Sequence, residues 1–164
     1  ARAGAALDGS GSRRLRLHLP AEPLVATVDR LRVEQALSNL ISNALKYAPA
    51  ETAVDVTLSV RDGQVRLSVT DRGPGIEPEA LPHLGEPFYR TASAVQSEQP
   101  GTGLGLAIVR AVAEAHGGRL EVESVLGAGS TFRLVLPLHG PPAATPQAEA
   151  DRADAAVADR SRAG

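Results

Sequence analysis

Asn39, Asn43 and Lys46 follow one another at about one helical turn, so on a helix all three side chains can face a single ligand. Amide oxygens suit a hard cation such as Mg²⁺, and an ammonium suits phosphate oxygens. Lys46 is the sole lysine among 17 basic residues, and Tyr47 beside it is one of only four aromatic residues. A solvated helix face would be the ordinary reading of such a run taken alone. The second candidate is Gly101-Thr102-Gly103-Leu104-Gly105-Leu106, with glycines at alternate positions where a helical pattern begins. Glycines let backbone approach a ligand, and the unpaired N–H groups of a first helical turn favour an anion, although the same run could be a flexible connector. The third is Asp71-Arg72-Gly73-Pro74-Gly75-Ile76. A carboxylate at a strand end can accept a hydrogen bond from an exocyclic amine, and the glycines leave room for a flat base. An Asp-initiated turn is its plain alternative.

Two familiar phosphate-binding motifs do not fit. A dinucleotide fingerprint should follow directly on a strand, whereas Ala94 to Pro100 is polar and turn-forming and the third glycine is wrongly spaced. A P-loop ends in Gly-Lys-Ser/Thr, and the single lysine lies elsewhere.

The elements that must position these residues can be read from periodicity. Leu15, Leu17 and Leu19 alternate with Arg14, Arg16 and His18, which predicts a half-buried strand, and Leu24 to Val28 predicts a short second one. Asp29 caps a predicted helix from Arg30 to about Tyr47, stopped by Pro49. Val33, Leu37, Leu40, Ile41 and Ala44 form its apolar face, while Gln35, Asn39, Asn43 and Lys46 share the polar one. Val54 to Val60 and Val65 to Val69 read as a hairpin across Asp62-Gly63. A short helix is expected from Glu77 to Leu84, then a mobile loop from Glu86 to Gly103. A helix from Leu104 to His116 ends at Gly117-Gly118, and strands from Arg119 to Val125 and Ser130 to Leu136 close the domain. The expected fold is an α/β two-layer sandwich: a mixed, largely antiparallel sheet with helices on one face. Residues 14–138 are expected to form this one domain, between an expected flexible linker over residues 1–13 and an expected disordered tail over residues 139–164.

Composition narrows the class. The 164 residues carry 43% hydrophobic and 22% charged side chains, which suits one soluble domain whose core, without tryptophan, must be aliphatic. A net charge of −2 offers no cationic surface for nucleic acid. The absence of cysteine excludes thiol chemistry, and no apolar run approaches the roughly 18 residues that cross a bilayer, so no membrane insertion is expected. The chain opens on Ala1 rather than methionine and is read as part of a longer protein.

Together the motifs resemble those of sensor histidine kinase catalytic domains, in the ATP-binding superfamily that includes type II topoisomerases, Hsp90 and mismatch-repair ATPases. The match covers most of the expected domain. The N box would be Asn39-Leu-Ile-Ser-Asn43-Ala-Leu-Lys46-Tyr47, the first glycine box Asp71 to Ile76, and the aromatic box Glu86-Pro-Phe88-Tyr89-Arg90. The second glycine box runs from Gly101 to Leu106, and Gly127-Ala-Gly129-Ser-Thr131-Phe132 resembles the last one. The resemblance implies a Bergerat ATP-binding fold with ATP and Mg²⁺ as ligands. Asn43 would hold the metal, with Asn39 beside the phosphates and Lys46 and Arg90 contacting them, so that Asn43, Lys46 and Arg90 carry catalysis. Tyr47 would pack by the adenine and Asp71 would accept its amine. Gly73 and Gly75 would make room for the base next to Ile76. Gly101, Thr102, Gly103, Leu104, Gly105 and Leu106 would flank the phosphates in a lid closing over ATP. Thr131 completes the implied nucleotide contacts.

Hydrolysing members of the superfamily carry a glutamate general base one turn before the metal-binding asparagine; here that position is Asn39, which cannot take a proton. The resemblance therefore implies phosphoryl transfer to a protein side chain. The acceptor would be a histidine on a separate dimerisation domain, and a response regulator would receive the group next. His18, His83, His116 and His139 all lack the expected acceptor context and read as structural. The implied setting is a cytoplasmic domain of a membrane-anchored bacterial sensor. A serine-directed kinase of the same superfamily, or an inert nucleotide-binding module, would be the rival readings.

Overall fold

The computed structural model of the protein describes residues 14–91 and 102–139. Five strands form one sheet in the order β1 (Leu15–His18), β2 (Val54–Arg61), β3 (Gln64–Asp71), β5 (Gly129–Pro137), β4 (Arg119–Val125). β1 and β2 pair in parallel because helix α1 (Arg30–Tyr47) crosses over between them, and every other pairing is antiparallel. Helix α2 (Gly105–Ala115) lies beside α1 on the same face, giving the expected two-layer architecture.

Local chemistry accounts for most boundaries. The Asp29 side chain accepts the Arg32 N–H at 3.1 Å and starts α1, and Pro49 follows one residue after its C-cap. Asp62 and Gly63 both hold positive φ, 53° and 70°, the pair that a tight hairpin between β2 and β3 requires. At the end of α2, a Cβ on Gly118 would lie 2.0 Å from the Val135 carbonyl oxygen, so only glycine lets the chain turn directly onto the sheet.

The core lies between the layers. Ala36, Leu40 and Ala44 of α1 and Val109, Val112 and Ala113 of α2 meet Val54, Val56, Val69, Leu134 and Leu136 of the sheet. The alanines let both helices approach closely, and Phe132 is the aromatic member of this aliphatic core. The opposite sheet face is polar. There Glu123 pairs with Arg133, Glu121 with Arg66 and Arg119, and the Thr70 and Thr131 hydroxyls meet at 3.0 Å.

Three expectations are corrected. Leu24 to Val28 is not a strand: Leu24, Ala26 and Val28 are half-buried in alternation, but the segment pairs with no strand among the described residues. The short helix is a 3-10 segment, Pro78–His83, because Pro82 inside it has no N–H for a helical ladder. Leu17 and Leu19 are exposed, as β1 is an edge strand and only Leu15 reaches the core. The linker expected over residues 1–13, residues 140–164 of the expected tail, and residues 92–101 of the expected loop lie outside the described residues.

Candidate nucleotide-binding site

A cavity of about 660 Å³ opens between the C-terminal half of α1, the ends of β3 and β5, and the start of α2. A volume of this order suits a cofactor-sized ligand. Its walls bring together Asn39, Asn43, Lys46, Tyr47, Asp71, Gly75, Ile76, Arg90, Thr102, Gly103, Leu104, Gly105 and Leu106. These residues come from four separate sequence motifs, and the fold joins them in one space.

The polar wall is the half-buried Asn39, Asn43 and Lys46 stripe of α1. Asn39 Nδ2 is buried without a hydrogen-bond partner among the described residues, a cost that a ligand oxygen would remove. Lys46 Nζ donates to the Tyr47 hydroxyl at 3.2 Å and sits 4.7 Å from the centre of that ring. Facing this stripe, α2 begins after its Ncap Leu104, which makes no side-chain cap hydrogen bond, and Gly105 and Leu106 of its first turn line the cavity, where unpaired N–H groups of a helix start favour an anion.

At the other end, Asp71 terminates β3 and is buried. Desolvation raises its carboxyl above the ordinary carboxylate range, opposed by backbone hydrogen bonds from Gly73 and Ser130. The Gly73 N–H donates to Asp71 Oδ1 at 2.7 Å. Glycines build this corner by contact with protein. A Cβ on Gly75, at φ 72°, would fall 2.2 Å from the Val125 carbonyl oxygen, and one on Gly129, at φ 114°, would fall 2.1 Å from that of Asp71. The turn after β4 is thereby pressed onto the loop after β3, where the Gly127 N–H also donates to the Pro74 carbonyl at 2.6 Å.

Gly73 is the first corrected site expectation. It does not line the cavity; a Cβ there would lie 2.8 Å from Asp71 Oδ1 and 3.0 Å from the Tyr47 carbonyl oxygen, so its bareness orients the carboxylate. Thr131 is the second. Ser130 and Phe132 line the cavity, and the pleat sends Thr131 to the opposite face against Thr70. Gly101 lies outside the described residues. Sequence reasoning missed Ser42, Leu84, Gly85, Tyr89 and Ile108, which also line the space. Ser42 lies three residues after Asn39 on the same helix, a spacing that could have found it; the apolar pair carries no comparable signal.

The aromatic box and second glycine box are tied at one point. The Phe88 N–H donates to the Gly103 carbonyl at 3.2 Å, and a Cβ on Gly103 would lie 2.7 Å from the Phe88 carbonyl carbon. Phe88 has φ 66° and is 73% exposed, so it reaches this geometry in a left-handed conformation that phenylalanine seldom adopts. None of the four histidines lines the cavity: His116 is buried at the end of α2, with Nδ1 donating to the Val112 carbonyl and Nε2 accepting the Asp29 N–H.

A two-layer α/β domain with this cavity under an uncapped helix start defines a class of ATP-binding proteins. Residues 28–140 match the family described as "Histidine kinase-, DNA gyrase B-, and HSP90-like ATPase", and the chain belongs to that family. Several of its relatives are named histidine kinases. It is 45% identical over 135 residues to histidine protein kinase DivJ of Caulobacter vibrioides, covering 81% of this chain and 22% of DivJ. The solved mycobacterial sensor histidine kinase MprB superposes with a TM-score of 0.68 at 35% identity, covering 81% of this chain and 90% of that one. Full-length ShkA in complex with AMPPNP superposes with a TM-score of 0.63 at 32% identity, covering 82% of this chain and 28% of that one. The chain is thus a sensor histidine kinase catalytic, ATP-binding domain, and it spans about a seventh to a third of the length of the curated relatives it matches.

Proposed function

We propose that the cavity holds Mg-ATP and that the domain donates the γ-phosphoryl group to a histidine on a separate dimerisation domain, from which a response regulator receives it. The observation that carries this reading is the meeting of the α1 stripe, Asp71 and the start of α2 around one nucleotide-sized space. Asp71 would accept the adenine amine, and the partnerless Asn39 Nδ2 would donate to a phosphate oxygen. Among the described residues no group of three or more His, Cys, Asp or Glu could hold a metal, so Mg²⁺ would depend on the Asn43 amide oxygen with phosphates and water. Bound there, the ion would neutralise charge on the phosphates. Lys46 and Arg90 would oppose the negative charge on the leaving ADP as the imidazole nitrogen bonds to phosphorus and the bridging P–O bond breaks.

Asn39 cannot take a proton from water, which supports transfer to an imidazole over hydrolysis. The names of several relatives favour histidine over serine as acceptor. No helix among the described residues is long and apolar enough to cross a membrane, and a supply of ATP favours a cytoplasmic position in a membrane-anchored parent. Calorimetric titration of the chain with ATP, with and without Mg²⁺, tests the reading. Binding that strengthens with Mg²⁺ is expected; equal heats, or none at millimolar ATP, would oppose it.

A further inference from the structure

Pro49 ends α1 by withholding the N–H that the Leu45 carbonyl would otherwise receive. The partner comes from outside the helix. The Arg14 guanidinium donates to Leu45 O at 3.4 Å, to Ala48 O at 3.3 Å, to Pro49 O at 2.7 Å and to Thr52 O at 3.1 Å. A cation in this place also opposes the negative end of the helix dipole. Only a planar fork of five donors can fan across four carbonyls that diverge from a helix end; an ammonium has three.

Arg14 directly precedes β1, whose first residue Leu15 pairs with Val54 of β2. The same turn of α1 that it clasps sends Lys46 and Tyr47 into the cavity. The Tyr47 carbonyl in turn packs against Gly73, whose N–H orients Asp71. A continuous set of contacts therefore runs from the start of β1 to both ends of the ligand space.

We propose that Arg14 is a positioning residue that locks the last turn of α1 to the start of β1 and so sets Lys46 and Tyr47 for the nucleotide. It touches no reacting atom. The proposal rests on the nucleotide reading for its consequence, whereas the clasp itself can be read without any ligand. It makes the placement of the chain at residue 14 an input to the cavity.

The single lysine supplies the measurement. Labelling the full chain with ¹⁵N-lysine gives one backbone amide signal, that of Lys46, which can be followed in wild type, Arg14→Gln, Arg14→Lys and a remote core variant, Val122→Ala. Arg14→Gln is expected to move the signal and speed its hydrogen exchange by about 10-fold, by freeing the last helical turn. It should also weaken Mg-ATP by about 5-fold. Arg14→Lys should restore part of both, and Val122→Ala should move neither beyond its general loss of stability. A Lys46 signal that responds to Arg14→Gln no more than to Val122→Ala would overturn the proposal, as would a displaced signal with unchanged ATP affinity. Failure of the wild-type chain to bind ATP would remove the nucleotide reading, and the ligand-free Lys46 signal would still decide whether the clasp exists.

Discussion

Residues 70 and 71, and likewise 130 and 131, are neighbours in sequence that face opposite chemistries. Asp71 and Ser130 look toward the helices and wall the cavity; Thr70 and Thr131 look outward, where they meet each other beside the Arg133–Glu123 pair. One sheet thus has a side whose polar groups border a cavity and a side whose polar groups pair across neighbouring strands. The buried Asp71 carboxyl is held above its ordinary range by desolvation, whereas the exposed Glu123 carboxyl is held below its own by hydrogen bonding and charge from Arg133. Polar residues that stabilise and polar residues poised for a ligand are separated by the thickness of a strand.

Substitution at Asp71 tests the contrast most severely. Asp71→Asn should weaken ATP by about 10- to 100-fold, the range of a hydrogen bond to a charged group, and narrow discrimination against GTP. The same variant should melt higher at pH 7. A carboxyl whose folded pKa is raised binds its proton more readily folded than unfolded, so its charged form disfavours the fold at neutral pH. The advantage of the variant should shrink as pH falls through the carboxyl's titration range. Calorimetry and melting curves across pH measure both, and a destabilised variant at pH 7 would contradict the assigned desolvation.

Gly129→Ala addresses the backbone that joins the two sides. With φ at 114° and the Asp71 carbonyl 2.1 Å from the added carbon, the loss should reach about 2–3 kcal/mol, read from urea unfolding. Unaltered stability would mean that the turn after β4 is not pressed onto β3. The smallest change should come from Thr131→Val. It removes one exposed-side hydroxyl pair, so stability should shift by about 1 kcal/mol or less and ATP affinity should stay constant. A loss of affinity would place Thr131 back in the site.

These residues also show how far the sequence could be read. Asp29, Pro49 and Asp62-Gly63 act within a few residues of themselves, so the limits of α1 and of the first hairpin were legible. Leu24 to Val28 has the right alternation, but a strand also needs a neighbour to pair with, and that is decided by distant residues. Several glycine-box residues do border the cavity, but the boxes hid what each glycine does. Gly73, Gly75 and Gly129 are small because of protein atoms against them, a relation visible only after folding. Thr131 was misplaced by one step of a two-residue period, which is the whole distance between inside and outside. Arg14 carried no sequence signal, since nothing near it in the chain foretells a helix end.

The contact between Phe88 and Gly103 acts as a neck, joining two points of the chain fifteen residues apart by number. Because closing a longer segment costs only about 0.6 kcal/mol for each doubling of its length, lengthening the chain between Thr91 and Thr102 should leave the Phe88–Gly103 contact in place.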